Sequence, residues 1–225
     1  TATQAASSLT LTGGTIPASG SCTLTLQVRP SSSASGKGVQ VNTIPTGALT
    51  TTESPASPAP ATATLEIASV GAAKSVTVPV NNGDGTYSVT YTVTLENLGS
   101  VALTNVQAVE NLSATFPSPA TFAIQTAPIA GAGLSVNPAF NGSSDMNLLT
   151  AASSSLSVGA SHTVIFTVRV TPGATPPATT FSNSVTVSAT GPGPTPVSDI
   201  SNAGTDPDPN GNGNPSDPAT ENASP

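Results

Sequence analysis

The sequence predicts an all-β protein, and three observations carry that prediction. Apolar residues recur at every second position over long stretches. No window of 11 residues holds a sustained 3.6-residue period. Turn formers break the chain often, with 20 Gly and 22 Pro in 225 residues. Alternation of this kind places one row of side chains against a core and the other toward solvent. The clearest case is residues 87–96, where Tyr87, Val89, Tyr91, Val93 and Leu95 alternate with Ser88, Thr90, Thr92, Thr94 and Glu96. Val76, Val78 and Val80 alternate just before it, and Asn81, Asn82, Gly83, Asp84 and Gly85 between them form a dense hairpin-turn signal.

Further strands are predicted along the chain. Val101–Val109 carries Val101 and Leu103, then Val106 and Val109, with an irregularity between the two pairs. Thr121–Gln125 and Leu134–Val136 are short candidates. Thr163–Val170 alternates through Val164, Phe166, Val168 and Val170, and Phe181–Ala189 through Phe181, Asn183, Val185 and Val187. The best helical candidate is Ser144–Ala152, where Leu148 and Leu149 equally suit the anchoring of a loop. Residues 69–200 thus supply seven or eight strands, the complement of a complete Ig-like β-sandwich. Residues 1–68 supply about four: Ser8–Thr12, Ser21–Arg29, Gly38–Asn42 and Ala61–Ile67, with Thr46–Thr52 as a short fifth. That number leaves sheet edges open, so this unit is expected to be a partial Ig-like sandwich, covered by upstream sequence or by a strand from another molecule. Segments 30–37 and 51–60 read as loops. Residues 201–225 form an acidic, Pro/Gly/Asn-rich tail with almost no large apolar side chain, expected to need an ion or a partner to become ordered.

Composition excludes several functions. Four Lys and Arg against 11 Asp and Glu give a net charge of −7. Four scattered cations make no track for a phosphate backbone, so nucleic acid is excluded, and a polybasic membrane patch with it. Apolar runs of a few residues leave no membrane span. Residues 1–10 lack the charged and apolar regions of a signal peptide, so the chain reads as a mature or internal piece. Charged residues are 7% of the chain, against about 25% in ordinary domains. That paucity, with Thr- and Ser-rich strands and few trypsin-type cleavage sites, points to an extracellular or cell-surface location. The lone Cys22 permits no internal disulfide. It reads as a buried small hydrophobe, or as half of a pair whose other cysteine lies upstream.

The run from Gly85 through Tyr87, Tyr91, Asn97-Leu98-Gly99 and Leu103-Thr104-Asn105-Val106 resembles a repeat of exported bacterial surface proteins, long filed as domain of unknown function eleven. The shared pattern is a tyrosine-alternating strand, then N-x-G, then L-x-N-V. Phe166–Pro172 and the Asp206–Asp217 tail are similar to the same repeats. Gly13–Thr25 and Asn42–Thr50 are similar to a sister repeat, in which this chain would start mid-domain, downstream of the strands that carry the other cysteine. The resemblance covers most of the chain. It implies tandem Ig-like sandwiches on exported proteins, serving as stalks, adhesin modules or fibre subunits.

One stretch has the spacing of a metal site. Asp206, Asp208 and Asn210 alternate, Gly211 follows, and Asp217 stands after five more residues, which fits the calcium-loop pattern D-x-D-x-[DN]-G-x5-[DE]. A hard cation takes six to eight oxygens, and alternate side chains on a tight loop converge on one point. Asn212 would add a backbone carbonyl and Asn214 a side-chain oxygen or a water, with Asp199 and Glu221 as auxiliaries. The competing reading is a solvated acidic linker. Asn82–Gly85 is a weaker candidate and reads first as a hairpin turn. His162 is the only histidine and reads as a partly exposed strand residue; no second ligand, nucleophile elbow or paired carboxylates accompany it, so no enzyme is expected. Asn111-Leu112-Ser113, Asn141-Gly142-Ser143 and Asn222-Ala223-Ser224 match the glycan-acceptor sequon; chance matches are expected in so Asn- and Ser-rich a chain, and glycan modification is the alternative reading.

The function expected is architectural: self-association into a homopolymeric extracellular filament or surface fibre, through strand complementation and calcium-stabilised junctions. The alternative is a stalk or ligand-binding module of a larger adhesin, for which the absence of Trp removes the usual aromatic sugar-binding face.

Overall fold

The computed structural model describes residues 10–25, 40–53, 56–173, 180–193 and 196–215, which fall in two units, 1–31 and 32–225. In the first unit, residues 10–25 form neither helix nor strand. A turn closes from the Gly20 N–H to the Pro17 carbonyl at 2.8 Å. The parts of the expected strands Ser8–Thr12 and Ser21–Arg29 that fall here are therefore irregular. Leu11, Ile16 and Leu24 are exposed, and so is Cys22, which corrects its reading as a buried hydrophobe: the described residues of this unit build no packed layer to receive it.

The second unit is all-β apart from one helical turn and one 3-10 turn. Its strands are β1 (Gln40–Ile44), β2 (Ala61–Leu65), β3 (Val70–Val76), β4 (Val80–Asn81), β5 (Tyr87–Asn97) and β6 (Leu103–Glu110). After the helical turn α1 (Leu112–Thr115) come β7 (Thr121–Ala130), β8 (Ser155–Leu156), β9 (Ser161–Thr171), β10 (Val185–Thr190), β11 (Val197–Ile200) and β12 (Asn202–Ala203). One sheet has the order β12-β3-β5-β9-β7, with β4 on β5; the other has the order β11-β10-β6-β8. Residues of both sheets share one apolar core, in the manner of a β-sandwich.

The core follows the alternation of the sequence. On β5, Val89, Tyr91, Val93 and Leu95 are buried, and on β9 so are Val164, Phe166, Val168 and Val170. The two strands pair antiparallel over ten residues, Tyr87 opposite Val170 and Glu96 opposite Ser161. Phe166 stacks against Tyr91 and meets Phe140 edge-on, with ring centroids 5.5 and 5.6 Å away. The N-x-G and L-x-N-V runs have structural causes. Buried Asn97 donates from Nδ2 to the carbonyls of Val101 and Leu156 and accepts the Gly99 N–H at Oδ1. A side chain at Gly99 would lie 2.3 Å from the Ile67 carbonyl. Asn105 adopts φ +51°, the left-handed region that Asn tolerates. This resets the phase of β6, so Leu103 and Val106 are both buried.

Four expectations change. The inward row of β6 continues through Ala108 to Glu110, and Val109 faces outward. Val76, Val78 and Val80 are exposed; the inward row of β3 is Val70, Ala72 and Lys74. Ser144–Ala152 is a loop anchored by buried Leu148 and Leu149, ending in a 3-10 turn at Ala151–Ser153. Thr46–Thr52 holds no strand: the Gly47 N–H bonds to the Ser57 carbonyl and the Ser57 N–H to that of Leu49.

The stretch 201–215 is a layer of the sandwich, although it brings almost no apolar bulk. At Ser201 the chain passes from one sheet to the other. Its N–H bonds to the Val185 carbonyl, and β12 then runs parallel to β3, Asn202 opposite Ala73. The outward row of β3 is small, and a Cβ at Gly71 would lie 2.9 Å from Pro207 and 3.1 Å from Pro215. The glycine makes room for the two prolines.

This packing separates two substitutions that look alike in sequence. Phe166→Ala should cost about 3–5 kcal/mol in urea denaturation, whereas Val78→Ala should change stability by no more than about 0.5 kcal/mol. Equal losses would contradict the assignment of faces.

Candidate functional site

Two clusters of polar residues carry potential chemistry. The first is the loop picked out by spacing. Asp206 Oδ1 accepts the Asp208 N–H, Asn210 Oδ1 the Asn212 N–H, and Asn212 Oδ1 the Asn214 N–H. Asp208 is buried, at 3% exposure, and its two oxygens accept the Asn212 and Gly213 N–H groups at 3.1 and 2.8 Å. Gly211 and Gly213 sit at φ +70° and +78°, which lets the loop reverse twice. Asp206 and Asn210 are exposed, and Asn212 and Asn214 half-buried. Asp217 and Glu221 lie outside the described residues.

The donors suit a hard cation in kind, being oxygens at alternate positions, and an oxygen that accepts one N–H keeps a second lone pair. Among the described residues no three His, Cys, Asp or Glu side chains come together at metal-binding distance. Asp199, expected as an auxiliary, is buried on β11, where its Oδ2 accepts the Ala72 N–H at 2.8 Å and ties one sheet to the other.

The second cluster lies between the sheets and has no local motif. Lys74 on β3 and Glu110 at the end of β6 are both completely buried, and Lys74 Nζ donates to Glu110 Oε2. Nζ also lies 4.5 Å from the centre of the Tyr91 ring. Asn183, two residues before β10 on the inward row of Val185, is buried beside them, and Thr115 Oγ1 donates to its Oδ1 at 3.0 Å. Asn183 is close enough to Glu110 and Tyr91 to favour their anionic forms. Even so, its Nδ2 and Glu110 Oε1 complete no hydrogen bond among the described residues.

Burial pulls the Lys74 ammonium below the usual lysine range and pushes the Glu110 carboxyl up, each against the attraction of the other. Burial pushes the Tyr91 phenol up to about 12. Burial thus opposes the charged form of each group. The cluster leaves one trace in sequence: Lys74, Glu110 and Asn183 each interrupt an inward apolar row.

The other candidates have structural roles. In the hairpin turn at 81–86, Asp84 accepts from Thr86 and pairs with Arg169, and its carboxyl is lowered first by the Thr86 hydroxyl. His162 is half-buried on β9 opposite Leu95, with its ring near Gly131. Asn111 caps α1 by accepting the Ala114 N–H, and Asn141 accepts from Ser143 and Asp145; both are exposed, and Asn222 lies outside the described residues. No helix among the described residues is long and apolar enough to cross a membrane.

No protein-family model and no curated protein matches the chain. Among solved structures, an inactive mutant of a GH20 exo-β-N-acetylglucosaminidase from Vibrio harveyi aligns at 13% identity with a TM-score of 0.30. The alignment covers 60% of this chain and 18% of that one.

The Asp208 contacts make a direct prediction. Asp208→Ala leaves the buried Gly213 N–H without its acceptor and the Asn212 N–H with Asn210 Oδ1 alone, and should cost about 1–3 kcal/mol in thermal or urea denaturation with chelator present. Wild-type stability in that variant would contradict the loop's hydrogen bonding.

Proposed function

We propose that the chain is a structural subunit of an extracellular bacterial filament or surface fibre, assembled head-to-tail by strand complementation. The observation that carries this reading is the hairpin β1–β2. It forms a two-stranded sheet of its own, and nine of its ten residues are exposed. Its register places Ile44, Ala61, Ala63 and Leu65 on one face together with Gln40 and Asn42, against Val41 and three Thr on the other. A two-stranded sheet is marginal in water and gains stability when a further strand or an apolar layer covers it. Among the described residues its outer edges pair with no further strand, and a strand from a second copy supplies both needs. A contact between two different surfaces of the same chain does not close on itself, so it propagates as a fibre.

Calcium belongs to this proposal as a brace for the 206–217 loop, with Asp206, Asp208, Asn210, Asn212, Asn214 and Asp217 as its donors. Asp208 holds the loop by accepting two of its N–H groups and Asp206 by accepting a third, so Asp206→Asn, which keeps that acceptor and removes the charge, separates ion binding from loop folding.

Negative-stain electron microscopy of the native material, with calcium and after chelation, tests the reading. Filaments that shorten or soften on chelation are expected. Ile44→Asp with Leu65→Asp should abolish them, and Asp206→Asn should mimic the chelator. Single particles under every condition would overturn the filament and favour a stalk or adhesin module. Filaments indifferent to chelation would remove calcium alone.

A further inference from the structure

The geometry points to an intramolecular amide bond between Lys74 Nζ and Asn183 Cγ, formed by the protein on itself with Glu110 as the proton-transferring group. This stands on the sandwich core and does not rest on the filament reading. Three observations converge. A lysine and a glutamate are fully buried in contact, on strands of opposite sheets. A buried asparagine on the same inward layer lies close enough to bias the Glu110 carboxyl, and the Thr115 hydroxyl polarises its carbonyl. The atom that would leave, Asn183 Nδ2, and the oxygen that would serve it, Glu110 Oε1, have no hydrogen-bond partner among the described residues.

Orphaned polar groups beside a buried ion pair are costly in a finished core. As reactants they have a purpose. A neutral lysine amine is a nucleophile, and desolvation of the ammonium favours it. A carboxylic acid kept neutral by an apolar site donates a hydrogen bond and relays protons.

The step balances without any external reactant. With its proton passed to Glu110, Lys74 Nζ attacks Asn183 Cγ, and a C–N bond forms. The Glu110 carboxyl protonates the amide group as charge develops and recovers a proton from Nζ. The bond from Cγ to Nδ2 breaks, Nδ2 leaves as ammonia, and Glu110 ends protonated as it began. Nothing is oxidised or reduced. The product converts the buried amine into an amide and joins β3 covalently to the entrance of β10.

Intact-mass spectrometry of the folded chain, followed by pepsin digestion and peptide sequencing, tests the proposal. The expected mass lies about 17 Da below that of the sequence, one ammonia lost, with a branched peptide joining Lys74 to Asn183. Glu110→Gln, Lys74→Met and Asn183→Ala should each restore the unlinked mass. Wild-type protein at its full sequence mass would overturn the proposal. So would the same loss traced to a cyclised Asn at an Asn-Gly pair such as Asn141-Gly142. The wild-type peptides decide the matter even if a variant fails to fold.

Discussion

The contact between Lys74 and Glu110 joins the two sheets where water has no access. Bringing both groups there costs several kcal/mol each in lost hydration, and their mutual attraction offsets this only when the geometry is held tightly. The holding is done by apolar layers on either side: Val89, Tyr91, Val93 and Leu95 from β5, the Phe166 row from β9, and Val106 and Ala108 from β6. Register follows from the same constraint. A slip of one residue in β3 would turn Lys74 to solvent and drive Ala73 inward, leaving Glu110 buried without its cation.

A second consequence concerns the chain after β11. Asp199 accepts a backbone N–H from β3, Ser201 exchanges hydrogen bonds with Val185, and β12 lies along the outer edge of β3. The strand that carries Lys74 is therefore enclosed, with the core on one face and the prolines of 207–215 on the other. Polar contacts and two prolines do the work that bulky side chains do elsewhere, which is why a segment so poor in hydrophobes packs at all.

The sequence made much of this legible. The alternation on β5 and β9 located both central strands, and the interruption in Val101–Val109 marked the turn of phase at Asn105. Asn183 already stood in an inward row. What sequence hid were matters of distance along the chain. The outward exposure of Val76, Val78 and Val80 depends on what covers β3, and nothing local reports that. The docking of 201–215 rests on a glycine more than 130 residues earlier. The loop at Asp206 is a local motif and was visible as one. The Lys74 cluster draws on two strands and the approach to a third, so its members look like isolated exceptions until the sheets are stacked.

A bond between Lys74 and Asn183 would pin the sandwich across its two sheets. Single-molecule extension of the chain from its ends tests it most directly. Residues 74 and 183 are 109 positions apart. A chain linked there keeps the stretch between them closed, withholding roughly 370 Å of length at about 3.4 Å per residue. With the bond in place this length never appears, at any force below that which ruptures covalent bonds. Extension to the full length of the unlinked chain would contradict that bond.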